Sequence, residues 1–102
     1  MDDSQEAVAE FVDDYDLETP PEFRLLDLVS EVGELAKDAN ASTDYGESPA
    51  DIDLESDELG DVLFAALALA DSLEVDADAA LEEALEKYER RMDDAETPGS
   101  GE

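Results

Sequence analysis

The chain contains no cysteine, no histidine and no tryptophan, and only 5 of its 102 residues are Lys or Arg. Without cysteine there is no disulfide framework, no Cys/His zinc site and no thiol nucleophile. Without histidine there is no Ser-His-Asp triad and no histidine general base. The shortage of basic residues excludes a nucleic-acid backbone as a direct partner, because phosphate binding needs a basic patch. Long apolar runs are missing too. The longest, Val62 to Ala70, is too short to span a bilayer, so no membrane partner is expected.

What is abundant is acid. Asp and Glu number 33, the formal net charge is −28, and 42% of the residues are still apolar. That apolar share can support a core, and the length suits one small domain. The acids are spread along every segment instead of forming one tail, which reads as a solvated surface adapted to a very salty cytoplasm, as in a halophile. The competing reading is an acidic mimic of nucleic acid occupying a basic partner. Met1-Asp2-Asp3-Ser4 is acidic where a secretory signal is basic, so a cytoplasmic protein is expected.

The periodicity predicts four helices and no strand, an all-α antiparallel bundle. Ala7, Val8, Phe11, Val12 and Tyr15 make one stripe over about Ser4 to Tyr15. Thr19-Pro20-Pro21-Glu22 reads as a cap, a first-turn proline and a capping-box acid, opening a second helix that runs to about Ala39. Asn40 to Ser48 reads as a loop. Ser48-Pro49-Ala50-Asp51 resembles another helix start, irregular through Asp57 and strongly apolar from Leu59 to Leu73. Phe64 to Ala70 is apolar all round, and three other short helices do not easily surround it. Completion of the bundle by homo-oligomerisation is therefore expected. Asp76 should cap a fourth helix over about Ala77 to Asp93. The domain is expected at 1–92, with 93–102 a flexible tail.

Two segments repeat one pattern of acid, apolar, Gly, acid, apolar: Glu31-Val32-Gly33-Glu34-Leu35 and Glu58-Leu59-Gly60-Asp61-Val62. Each places two carboxylates at i and i+3 on one helix face. Each also places a glycine inside a helix, at about 1 kcal/mol relative to Ala, which usually marks close approach of another backbone or a ligand. The spacing alone is common in so acidic a chain; the apolar setting is what distinguishes these pairs. Carboxylates sharing a partly buried neighbourhood need cations or good hydrogen bonds. All-oxygen ligands favour Mg²⁺ or Mn²⁺ over Zn²⁺. The plainer alternative is two more solvated acidic faces.

Three of the five basic residues fall in Lys87-Tyr88-Glu89-Arg90-Arg91, with Lys87 and Arg91 at i and i+4. A divalent cation held by carboxylates beside a Lys/Arg pair makes a site for a triphosphate. The alternative role for these side chains is to favour the negative end of the helix dipole and pair with neighbouring acids.

These residues resemble the MazG-type nucleotide pyrophosphohydrolases, a branch of the all-α NTP pyrophosphatases. The resemblance rests on Leu28-Val29-Ser30-Glu31-Val32-Gly33-Glu34-Leu35-Ala36, on Asp57-Glu58-Leu59-Gly60-Asp61-Val62-Leu63-Phe64, and on the basic stretch of the last helix. It covers roughly Phe23 to Met92. It implies a homodimeric or homotetrameric four-helix-type bundle and Mg²⁺-dependent hydrolysis of a (d)NTP to the monophosphate and pyrophosphate, in nucleotide-pool cleaning. Glu31, Glu34, Glu58 and Asp61 would bind the metal, and Lys87 and Arg91 the phosphates. Arg90 is a possible accessory, and Tyr45 or Tyr88 a possible platform for the base. One position departs: Ser30 stands where many members carry an acid, a lack shared by the dCTP pyrophosphatase branch. Asp27, one turn before Glu31 on the same face, is the candidate substitute. The alternative function is a non-catalytic acidic interaction module on the same fold.

Overall fold

The computed structural model describes residues 2–94. It contains four α-helices, α1 (Asp2–Asp14), α2 (Pro21–Ser42), α3 (Ser56–Ser72) and α4 (Ala77–Asp94), with a single 3₁₀ turn at Pro49–Asp51. No strand occurs among the described residues, and no helix is long and apolar enough to cross a membrane. Asp93 and Asp94, the first two residues of the segment expected as a tail at 93–102, are the end of α4; the rest of that segment lies outside the described residues.

The start of α2 differs from expectation by one residue. Pro20, not Thr19, is the cap, with ψ at 149°, and Pro21 is the first helical residue. No side chain caps this end. The reason is local: a residue that precedes proline is excluded from the helical region, so Pro20 stays extended. The Phe23 N–H then closes the first turn onto the Pro20 carbonyl at 3.0 Å.

The far end of α2 reaches Ser42, three residues past the expected Ala39. Thr43 stops it. Its buried hydroxyl donates to the Ala39 carbonyl at 2.6 Å and accepts the Gly46 N–H at 3.1 Å. Asp44, Tyr45 and Gly46 follow with φ of 51°, 55° and 90°, a left-handed turn that favours glycine at its end.

Ser48-Pro49 does not open α3, as the sequence had suggested. It starts only the 3₁₀ turn, and the chain is irregular from Ile52 to Glu55. Asp51, Ile52 and Asp53 are weak helix formers, and the Asp53 N–H is taken by the Ser42 hydroxyl at 3.0 Å, outside any helix. The regular helix begins after Glu55, whose N–H donates to the Glu58 carboxylate at 3.4 Å. Asp76 caps α4 as expected, accepting from the Asp78 and Ala79 N–H groups at 2.9 and 3.2 Å.

α3 is the centre of the fold. It packs chiefly on α2 and secondarily on α1, while α4 meets α1 and α3 only sparsely. Phe11 of α1 sets its ring edge-on to Phe64 of α3 at 5.8 Å. Gln5 ties α1 to the α3–α4 turn, donating to the Val75 carbonyl and accepting the Ala77 N–H, both at 2.8 Å. Arg24 is buried and donates to the Leu17 carbonyl, anchoring the α1–α2 connection.

The apolar core within one chain is small: Val12, Ala65, Leu67 and Ala68 are its buried members. Leu26, Val29, Leu59 and Leu63 remain exposed. A compact chain of this length has a radius of gyration near about 13 Å; here it is 17.1 Å. Phe64 to Ala70, the run apolar on every side, is nonetheless buried or half-buried within the single chain; the exposed apolar residues of α3, Leu59 and Leu63, precede it.

Candidate functional site

α2 carries Asp27, Glu31, Glu34 and Asp38 at helical intervals of four, three and four, along one face. α3 carries Glu58 and Asp61 in its first two turns. Because α2 and α3 form the principal helix pair, these two acidic faces meet.

The meeting is visible in the electrostatics. Glu31 is half-buried, and its carboxyl is held above the ordinary glutamate value, first by loss of solvent, then by the charges of Asp61, Glu34 and Asp27. Glu31 of α2 and Asp61 of α3 are thus brought together from distant parts of the chain. Glu58 is also half-buried and shifted upward. The main cause is a hydrogen bond with Asp38, followed by burial and the charges of Asp38 and Asp57; the Glu55 N–H opposes the shift. The four expected acids are therefore divided between two foci, Glu31 with Asp61 and Glu34, and Glu58 with Asp38. Asp38 had not been singled out. Its signal was its place four residues after Glu34 on the same face, hard to weigh where a third of positions are acidic.

Among the described residues, no three carboxylates stand close enough to enclose an ion as they are. The donor set nonetheless suits a hard divalent cation. It is all oxygen, it lies where negative charges press on one another, and the ion pair recorded nearby, Arg24 with Asp27 at 3.9 Å, reaches only its margin. Mg²⁺ takes one or two carboxylates directly and keeps several waters, so a closed cage is not required.

The other expected site residues are placed differently. Lys87 and Arg91 lie over the Tyr88 ring at 5.3 and 5.9 Å from its centroid. All three are exposed, with Arg90, on a helix whose main contacts are with α1 and α3 instead of α2. Tyr45 projects from the left-handed turn after α2 and is 81% exposed.

The two helical glycines do not mark a close approach within the chain. A Cβ built on Gly33 or Gly60 meets nothing within 4 Å. Gly33→Ala is therefore expected to raise stability by about 0.5–1 kcal/mol in urea unfolding, through helix propensity alone. A loss of stability instead would show that another molecule occupies that space in solution.

An all-helical bundle with facing Glu-x-x-Glu and Glu-x-x-Asp pairs defines a class, and the comparisons place the chain within it. Residues 20–95 match the model of the MazG nucleotide pyrophosphohydrolase domain, a span that takes in α2, α3 and α4. YPJD of Bacillus subtilis, a proposed pyrophosphatase with a crystal structure, matches with a TM-score of 0.71 at 31% identity, over 86% of this chain and 91% of its own. No curated protein matches the chain. The chain belongs to the MazG nucleotide pyrophosphohydrolase domain family.

Proposed function

We propose that this chain hydrolyses nucleoside or deoxynucleoside triphosphates between the α and β phosphates, giving the monophosphate and pyrophosphate. The observation that carries this reading is the juxtaposition of Glu31 on α2 with Asp61 on α3, inside a segment matching the family model. In this reading Glu31, Glu34, Glu58 and Asp61 hold Mg²⁺, or Mn²⁺ in its place. The cation supplies positive charge against the phosphate oxygens, where negative charge builds as the anhydride breaks. Lys87 and Arg91 take the remaining phosphate charge as donors, with Arg90 beside them. Tyr45, held out by its turn, offers a face to the base, and Tyr88 is the second candidate. The reaction adds water across one phosphoanhydride bond. Its oxygen joins the α phosphorus, and the bond from that phosphorus to the bridging oxygen is broken.

Self-association as a homodimer or homotetramer belongs to the same proposal. Ala7, Val8, Gly60, Leu63 and Phe64 line an open apolar groove between α1 and α3, and a second copy offers the matching apolar surface. The cytoplasm of a salt-loving cell is the proposed setting, on the strength of the net charge of −28.

The test is incubation of the protein in molar KCl with each common NTP and dNTP, with Mg²⁺, with Mn²⁺ or with EDTA, read by phosphorus NMR. Metal-dependent release of pyrophosphate with the matching monophosphate is expected. Release of single phosphate would move the cleavage to the β–γ bond and overturn the assignment. A folded sample without turnover would favour the interaction-module reading, in which Ser30 in place of an acid has cost the activity.

A further inference from the structure

α2 has two faces of different character. The side toward α3 carries the buried Arg24 and the half-buried Leu28, Glu31 and Leu35. The outer side carries Leu25, Leu26, Val29, Ser30, Val32, Gly33 and Ala36, all of them exposed. None of these is charged, in a chain where 37% of the residues are. A helix face that meets water is normally polar, and an apolar one is normally covered. Yet Leu26 and Val29 are 61% and 62% exposed, and a Cβ built on Gly33 meets nothing within 4 Å.

The order of side-chain sizes along this face says what covers it. Its first half is large, with Leu25, Leu26 and Val29, and its second half is small, with Gly33 and Ala36. Such a helix complements an identical helix laid antiparallel to it. About a midpoint level with Glu31, Leu26 falls on Ala36 of the second copy and Val29 on its Gly33. The same contacts then recur in reverse, as an isologous interface requires. A parallel pairing would set large on large and leave a gap between the small residues. Beside the two-fold axis, Ser30 meets Ser30 and Val32 meets Val32, so no like charges are forced together. At the edge, Lys37 of the second copy comes to the exposed ring of Phe23, whose face attracts a cation.

We infer that two copies of this chain pair through the outer face of α2, with the two α2 helices antiparallel and in closest approach at Val29 and Gly33. This goes beyond the proposed reaction and does not rest on it. The surface is also separate from the groove between α1 and α3, so a chain that uses both has the two contacts that a tetramer needs. The pairing accounts for Gly33 inside a helix: its space is open within the chain and taken by Val29 of the second copy. Glu31 lies on the α3 side of α2 and stays clear of the contact.

The test is multi-angle light scattering of the full chain in molar KCl. The wild type should be oligomeric, and Gly33→Leu should have about half its mass at equal concentration. Gly33→Ala should leave the mass unchanged, since Ala36 already accommodates the larger Leu26. Leucine is a better helix former than glycine and meets open space here, so the single chain should still fold, which circular dichroism checks. If Gly33→Leu does not fold, Val29→Lys takes its place. The chain has no cysteine, so Ser30→Cys supplies a single thiol. A short bismaleimide should convert most of that variant to covalent dimer, and Glu83→Cys on exposed α4 should stay monomeric under denaturing electrophoresis. A monomeric wild type would overturn the inference. So would an oligomer whose mass Gly33→Leu leaves unchanged and which does not cross-link at Ser30, since association would then run through the groove between α1 and α3. The phosphorus NMR assay reads the proposed reaction separately: a cross-linked dimer without turnover would uphold this interface and remove the catalytic reading.

Discussion

Glu31→Gln is expected to lower pyrophosphate release by at least about 100-fold while leaving the fold intact, since it removes a charged group from the centre of the proposed cation site. The substitution is close to isosteric, and Glu31 is only half-buried, so packing changes little. Its effect on stability should run the opposite way. Burial, Asp61, Glu34 and Asp27 all raise the Glu31 carboxyl above its ordinary value of 4.5, so the ionised form is disfavoured in the folded state. The folded protein then binds this proton more tightly than the unfolded chain does. Its contribution to stability is full below the unfolded value and is lost as pH rises through the raised folded value. In EDTA at neutral pH, Glu31→Gln should therefore unfold at the same or a higher temperature than wild type. Its stability should also fall less steeply as pH is raised from about 4.5 to 7. Glu58 carries a shift of the same sign, so a residual slope remains. Urea unfolding across this range, paired with the phosphorus NMR assay, checks both halves. Retained turnover would remove Glu31 from the site. A clear loss of stability at neutral pH would contradict the crowding of like charges around it.

The second large effect is expected from salt. With 33 acidic and 5 basic residues, most charges have no opposite partner, and the described residues record one ion pair. At about 0.1 M salt the Debye length is about 10 Å, long enough for neighbouring carboxylates to repel; at about 1 M it is about 3 Å. Raising KCl from about 0.05 to 2 M should lift the thermal midpoint by at least about 10 °C, a shift that about 1–3 kcal/mol produces in a domain of this size. Circular dichroism at 222 nm follows the transition (a conventional helix signal). NaCl should act alike at equal ionic strength, and a neutral osmolyte at equal osmolarity should do much less, because the origin is screening. A flat response to salt would mean that the acidic surface does not limit this fold. The small single-chain core makes the effect larger, since there is little buried apolar area to offset the repulsion.

Helix type was legible because it depends on near neighbours. Apolar residues three and four apart in each segment predicted the four α-helices of the described residues, and Asp76 was readable as a cap because its partners lie two and three residues away. The start of α2 was misplaced by one residue although the deciding fact was also local: two prolines in a row leave the first one extended. The supposed helix start at Ser48 failed for a different reason. A proline after a hydroxyl residue permits a helix, but Asp51 to Asp53 do not continue one, and Ser42 holds the Asp53 N–H elsewhere.

The acid pairs and their i, i+3 spacing were fixed by the order of residues, as were the net charge, the lack of histidine and cysteine, and the helical class. Which acid opposes which was decided only when α2 met α3. Asp61 faces Glu31 across an interval of 30 residues, and Asp38 faces Glu58 across 20. Gln5 reaches Val75 and Ala77 across still longer ones. Helical periodicity identifies the face a side chain lies on but says nothing of how far one helix slides or turns against another. In a chain where a third of the positions are acidic, almost any offset brings some pair of carboxylates together. α2 and α3 pair at one offset, and that offset sets Asp61 near Glu31 and Asp38 near Glu58.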